Sequence, residues 1–262
     1  MRARLLLMMT LLSWSALGEA SSPHDAERVS AVSDRGWTMH VDNDLFAFVD
    51  RDRDYTGGAA FTLGGEAART HALSLSSALA WADERTRFGA LLEDGRTEGH
   101  SLELGLLLFT PHDIETPEPL VDDRPYANLL YLSSSQLTHD ATRDVAYQSS
   151  LTLGFLGLPI AERLHRVAHD VLGSADPKGY AHQISDGGEP TFRYAVSRYR
   201  LLASGAYRGR PYVLRLGSGG SVGYLTEASV ELAFRWGRTD LPWWSGPAVQ
   251  SSIVRSSRSG SV

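Results

Sequence analysis

Hydrophobic and polar side chains alternate most regularly over residues 222–237, which read VGYLTEASVELAFRWG. The even positions are mainly apolar, as at Val230, Leu232 and Phe234, whereas the odd positions are mainly small or charged. This period of two predicts a β-strand with one apolar and one polar face. Sixteen residues exceed the usual length of a strand in a soluble protein, and the aromatic residues near both ends are typical of a strand that crosses an outer membrane.

The same alternation recurs in shorter form along the chain. Residues 145–156 place Leu151, Leu153 and Phe155 on one side of a strand and polar side chains on the other. Further strands are predicted at 37–41, 55–64, 100–109, 125–137, 192–203 and 211–217, which makes eight in all. A soluble β-sandwich would give a similar pattern, but long strands with aromatic ends favour an all-β, antiparallel outer-membrane β-barrel.

The N-terminus has the composition of an export signal. Residues 1–20 begin with Arg2 and Arg4, continue with an apolar run and end in small residues. This run is too short to span a bilayer and typical of a cleaved signal peptide. We therefore expect a signal peptide at 1–20, a leader at 21–36, a barrel domain at 37–240 and an irregular tail at 241–262.

One segment has a helical instead of a strand period. In residues 159–173 the apolar side chains recur at intervals of three and four, with Pro159 at the start and Gly173 at the end. Proline suits the first turn of a helix and glycine its C-terminal cap. We expect one short amphipathic helix, inserted as a loop at a barrel rim, and such loops carry function more often than walls do.

Composition narrows the functional classes. Hydrophobic residues make up 42% of the 262 residues and charged residues 21%, which excludes a disordered chain. The net charge of −6 argues against a nucleic-acid binder. The chain has no cysteine, so that disulfides, thiolate metal sites and a cysteine nucleophile are all excluded.

Three local patterns could carry chemistry. Asn43 and Asp44 supply hard oxygen donors of the kind that calcium or magnesium prefers, or are simply solvated turn residues. His165 and His169 lie four apart on the predicted helix, which suits a zinc pair, a single general base or a solvated face. Ser221 matches a nucleophile elbow, but a strand follows it, so we interpret it as a hairpin-turn residue.

An ordered set of short motifs resembles one family. VDNDLF at 41–46, DRDYTGG at 52–58, DDRPYA at 122–127, LHR at 164–166 and GYAHQ at 179–183 follow the order found in the outer-membrane lipid A 3′-O-deacylases, the LpxR family. The resemblance covers about residues 37–240. It implies a twelve-stranded barrel, of which eight strands are recognisable here, with a calcium-dependent site beside a loop helix at the outer rim.

The resemblance also implies roles for individual residues. His165 is implied as the general base, with Asn43 and Asp44 in the calcium and oxyanion site and Thr56 as a hydroxyl residue across from them. Arg124 and Tyr126 belong to a recurrent strand-start motif, with a structural role and substrate contact as alternatives. The implied reaction is hydrolysis of the 3′-O-linked acyl ester of lipid A, the membrane anchor of lipopolysaccharide, in the outer membrane.

The chain departs from the family at two points. Val171 stands where a characterised member carries a carboxylate after the histidine, and Asp170 and Glu162 are the nearby acids that could replace it. The alternation also ends near residue 240, which predicts either a C-terminally truncated barrel or one that closes differently. A non-catalytic outer-membrane β-protein and a soluble periplasmic β-sandwich binding module are therefore the alternatives to an enzyme. The oligomeric state is left open.

Overall fold

The computed structural model describes residues 36–43, 57–86, 88–92, 95–111, 113–119, 123–172, 177–185, 187–237 and 242–244. These residues contain eight strands: β1 (Gly36–Asn43), β2 (Gly57–Gly64), β3 (Arg96–Phe109), β4 (Ala127–Asp140), β5 (Val145–Leu156), β6 (Glu189–Tyr207), β7 (Arg210–Gly223) and β8 (Glu227–Trp236). The predicted signal peptide at 1–20 lies outside the described residues, as do residues 21–35 of the predicted leader 21–36 and all of the predicted tail except 242–244.

The strands form one antiparallel sheet in the order of the sequence, from β1 to β8. Each strand bonds to the strands before and after it along the chain, so that the connections join neighbours. Among the described residues, β1 pairs with β2 alone and β8 with β7 alone. The predicted all-β antiparallel architecture with eight strands is confirmed.

The most regular predicted strand is in fact two strands. The segment 222–237 is divided at Gly223, where β7 ends, and β8 begins only at Glu227. Gly223 has φ 130°, and a Cβ atom there would lie 2.0 Å from the carbonyl oxygen of Phe192. Alternation cannot reveal such a turn, because the turn has three residues. The apolar side chains therefore stay at even positions in both strands, and the pattern continues without a visible break. Ser221 lies in β7, two residues before the strand ends, and is not part of the turn that we predicted it to form.

The sheet exposes its apolar face. Residues that pair directly across strands share a face, and one such row joins Met39, Phe61 and Leu104. These three side chains are exposed, as are others on this face, up to 80% for Val230 in β8. In a soluble β-sandwich such residues lie between two sheets. Strands of an outer-membrane protein instead turn apolar residues towards lipid.

The opposite face carries buried charge. Arg193 donates to the Glu227 carboxylate at 2.6 Å, and Arg215 donates to Glu231 at 3.0 Å. The Tyr131 hydroxyl donates to the buried carboxylate of Glu103 at 2.7 Å. Pairing of this kind offsets the cost of removing each charge from water.

The described part of the predicted tail lies on this polar face. The ring of Trp244 stacks on that of His139 in β4, with 3.7 Å between ring centroids and 18° between planes. The backbone carbonyls of Trp244 and Pro242 accept hydrogen bonds from Arg215 and Arg235. Residues 242–244 therefore connect β4 with β7 and β8.

The structure contains more helix than the single loop helix that we predicted. α1 (Glu66–Thr70), α2 (Ser76–Arg85) and α3 (Gly89–Leu92) lie between β2 and β3, and α4 (Pro159–Leu172) matches the predicted helix. None of the helices in the described part of the chain has the length and apolar character of a membrane-spanning helix. The first three helices lack the regular apolar spacing that marks α4, and sequence periodicity therefore missed them.

A buried carboxylate attaches α2 to the sheet. Asp83 is 2% exposed and accepts hydrogen bonds from Gln136 in β4, Ser149 in β5 and the hydroxyl of Tyr194 in β6, at 2.6–2.8 Å. Gln136 and Ser149 are paired and lie on the same face as Leu151. α2 therefore covers the positions where the apolar face of the sheet becomes polar.

We expect Asp83→Ala to lower the free energy of unfolding by about 3 kcal/mol, because three buried donors would lose their acceptor. Chemical unfolding of the purified protein in detergent measures this loss, and limited proteolysis should show earlier cleavage within residues 66–92. Glu84→Ala is the matched control, because Glu84 is exposed on the same helix. Equal stability of the two variants would contradict the anchoring role of Asp83.

Candidate functional site

The C-terminal ends of β1, β3 and β5 lie at the same end of the sheet. Asn43 at the end of β1 pairs with Gly57, which in turn pairs with Leu108 near the end of β3. Leu156 at the end of β5 pairs with Leu129 near the start of β4. We call this end of the sheet, with α4 and the described residues of the segments 110–126 and 177–188, the site rim.

His165 is the predicted site residue that the structure describes in full. It lies on α4, its side chain is 6% exposed, and its Nδ1 lies 2.9 Å from the hydroxyl oxygen of Tyr180. The two rings meet edge to face, with 5.9 Å between their centroids. The imidazole therefore has a fixed orientation instead of extending into solvent, as a residue of a solvated helix face would.

Tyr180 is itself held by the loop after β3. Its 3₁₀ turn, Gly179–His182, packs the Tyr180 ring on Tyr126, with 4.3 Å between ring centroids. The Tyr126 hydroxyl donates to the carbonyl of Ile114 at 3.1 Å, and the amide of Lys178 donates to the same carbonyl at 2.8 Å. Gly179 allows the close approach, because a Cβ atom there would lie 2.7 Å from the Tyr126 ring.

A fully buried amide joins the two ends of the connection between β5 and β6. Asn128 in β4 accepts a hydrogen bond from the amide of Leu158, just before α4, and donates to the side chain of Gln183, just after the 3₁₀ turn. Gln183 donates in turn to the carbonyl of Gly157. Asn128 thereby sets the position of α4 relative to the turn that carries Tyr180.

The hydroxyls of Tyr126 and Tyr180 stay protonated near neutral pH. Burial raises the pKa of Tyr180 above its ordinary value, and burial also raises the pKa of Tyr126 to about 12. A neutral hydroxyl can accept a hydrogen bond from Nδ1 of His165. In that tautomer Nε2 carries the lone pair, which is the arrangement that a general base requires.

The other predicted site residues lie mostly outside the described part of the chain. Asp44 and Thr56 are outside it, and of Asn43 the backbone alone is described. The register nevertheless places Asn43 at the site rim, at the same end of the sheet as the connection that contains α4. Among the described residues no group of three or more acidic, histidine or cysteine side chains is arranged to bind a metal ion.

The structure bears differently on each of the alternatives near His165. The side chains of His169 and Val171 lie outside the described residues, so the zinc pair stays untested. Glu162 pairs with Arg166 at 2.6 Å, and Asp170 is exposed. The described partner of Nδ1 is thus a tyrosine hydroxyl.

Two residues of the site were missed by sequence reasoning. Tyr180 lies in the GYAHQ motif, which we recognised without assigning it a role, and Asn128 directly follows the DDRPYA motif. Within that motif, Tyr126 supports Tyr180, and Arg124 donates to the carbonyl of Thr110 at 2.5 Å. Of the two alternatives for Arg124 and Tyr126, these contacts favour the structural one.

Comparison with known proteins agrees with the fold. LpxR from Salmonella typhimurium superposes on the structure with a TM-score of 0.52 and 17% identity over 75% of this chain. The match covers 62% of that protein, so the chain spans less than two thirds of its relative's length. No curated protein matches significantly.

The sequence also matches a family model along nearly its full length. The model is described as "Outer membrane protein LpxR", and the match extends over residues 5–261. The region includes β1 to β8 and the connections that build the site rim. The chain therefore belongs to the LpxR family of outer membrane proteins.

Proposed function

We propose that the protein is an outer-membrane esterase that removes the 3′-O-linked acyl chain of lipid A by a water attack that His165 activates. The observation that carries the proposal is the buried imidazole of His165, oriented by Tyr180 on a rim helix of an LpxR family member. The N-terminal signal peptide that we predict would deliver the chain to the envelope. An exposed apolar sheet face is consistent with residence in lipid.

The chemistry needs a single base that moves one proton. Nδ1–H of His165 donates to Tyr180, and Nε2 takes a proton from a water molecule. The water oxygen then bonds to the acyl carbonyl carbon. When the C–O bond to the sugar breaks, the imidazolium returns its proton to the sugar oxygen, and a free fatty acid leaves. No covalent acyl-enzyme forms on this route.

Asn43 and Asp44 would hold the calcium ion that the family resemblance implies. An amide and a carboxylate are hard oxygen donors, which is the chemistry that calcium prefers. When bound, the ion would supply positive charge near the ester carbonyl. Thr56, which directly precedes β2, would place its hydroxyl across from this pair, because Gly57 pairs with Asn43.

The position of the site also suits the substrate. The acyl esters of lipid A lie close to the headgroups, at the boundary between the polar and apolar parts of the membrane. α4 connects two strands at one end of a sheet whose exposed face is apolar, and this puts His165 near such a boundary. A base placed midway along the apolar face of a strand would lie too deep to meet water.

We expect His165→Ala to lower fatty-acid release about 100- to 10,000-fold, because general-base catalysis typically contributes this much. The assay incubates the protein in detergent with calcium and lipid A and quantifies the released acid by mass spectrometry. His71→Ala is the matched control, because His71 is an exposed histidine far from the site rim. Unchanged release from His165→Ala would refute the proposal, and an inactive wild type would favour a non-catalytic family member.

Tyr180→Phe tests whether the hydroxyl orients the base. The ring and its packing on Tyr126 remain, so we expect kcat to fall about tenfold with little change in KM, which corresponds to one lost hydrogen bond. The ¹⁵N shifts of His165 should also show loss of the single Nδ1–H tautomer. Tyr126→Phe is the control, because it removes a hydroxyl that does not contact His165. Equal kcat values in Tyr180→Phe and the wild type would exclude the positioning role.

Removal of divalent cations tests the calcium site. We expect EDTA to abolish release and added calcium to restore it. Asp44→Asn should raise the calcium concentration needed for half-maximal activity about tenfold or more, because the variant loses a charged ligand. Full activity in EDTA would show that the reaction does not depend on a metal ion, whatever the role of His165.

A further inference from the structure

α4 carries an exposed apolar stripe. Ile160, Leu164 and Val167 follow one another at intervals of four and three residues, which places them on one side of a helix. Their side chains are 53%, 50% and 58% exposed. When three aliphatic side chains lie on one side of a helix, that side is normally buried.

His165 occupies a different side of the same helix. At about 100° per residue, its direction differs from that of Ile160 by roughly 140°. This side is the buried one, because His165 packs against Tyr180. α4 therefore buries an imidazole and exposes the three aliphatic side chains of the stripe, which is the reverse of a helix that is surrounded by water.

The charges beside the stripe indicate what covers it. Arg163 and Arg166 are exposed on one flank of the stripe together with Asp170, and Arg166 pairs with Glu162. A helix with an apolar stripe and arginines on its polar side is the type that lies in the plane of a membrane interface. Arginine stems can run along apolar surface while their guanidinium groups reach phosphate.

The apolar surface continues from the sheet towards the helix. Leu153 and Phe155 are exposed on the apolar face of β5, and α4 begins four residues after Phe155. Phe192, near the start of β6, is exposed on the same face. Whatever covers the apolar face of the sheet is therefore also the nearest partner for the stripe of α4.

We propose that the Ile160–Leu164–Val167 stripe inserts into the acyl-chain region of an anionic, phosphate-bearing lipid leaflet, with Arg163 and Arg166 at its phosphates. This inference rests on the proposed function for its purpose: the inserted helix fixes the depth of His165 relative to the ester bonds of the lipid. The contact itself does not depend on catalysis, so the two claims are tested separately.

The absence of cysteine allows the contact to be measured directly. Leu164→Cys is labelled with an environment-sensitive fluorophore, and the full chain is reconstituted in nanodiscs of phosphatidylcholine with phosphatidylglycerol. Quenching by nitroxide-labelled acyl chains is compared with quenching by iodide in the water phase. Asp170→Cys is the matched control, because Asp170 is exposed on the same helix outside the stripe. Val167→Cys repeats the test if Leu164→Cys folds poorly.

We expect the label at position 164 to be quenched several-fold more by the acyl-chain nitroxide than the label at 170, and several-fold less by iodide. Neutral nanodiscs, or Arg163→Gln with Arg166→Gln, should weaken this difference. Equal iodide quenching at both positions would overturn the inference. Shielding from both quenchers would also overturn it, because a protein surface would then cover the stripe. Labelled protein that also carries His165→Ala should behave identically, which separates this result from hydrolysis.

Discussion

The structure depends on a sheet whose exposed side is apolar and whose buried side is charged. Each strand contributes to both faces because successive side chains alternate, and a shift of one residue in any pairing would exchange them. Charges such as Arg193 and Arg215 are tolerated because the strands next to them supply Glu227 and Glu231. The continuous pairing from β1 to β8 thus follows from one constraint: every strand must present its apolar residues to the same surroundings.

The same constraint explains where the candidate chemistry lies. A sheet with one apolar and one charged face leaves its ends as the places where polar, water-accessible groups can assemble. α4 lies at such an end, with an imidazole on its buried side and an aliphatic stripe on its exposed side. The amide of Asn128 and the paired rings of Tyr126 and Tyr180 hold that helix and the following turn in place.

Much of this could be read from local patterns. Alternation predicted eight strands, and apolar spacing predicted α4 almost to the residue, because both patterns are set by the geometry of the backbone itself. α1 and α3 were missed because they are short, and α2 because it contacts the sheet partly through the polar Asp83 instead of an apolar stripe. The turn after Gly223 was placed too early, at Ser221, because it leaves the alternation in phase.

The sequence by itself determined the strand count, the helix at the rim and the family motifs, and the resemblance that these motifs carry implies His165 as a base. Only the tertiary structure decided that Tyr180 is the partner of its Nδ1, that Asn128 ties both ends of the loop together, and that the apolar side of α4 faces outwards. These contacts join residues 15 to 55 positions apart. No local period along the sequence predicts contacts over such separations. They depend on how neighbouring loops pack once the sheet has brought the ends of those loops together at one end of its strands.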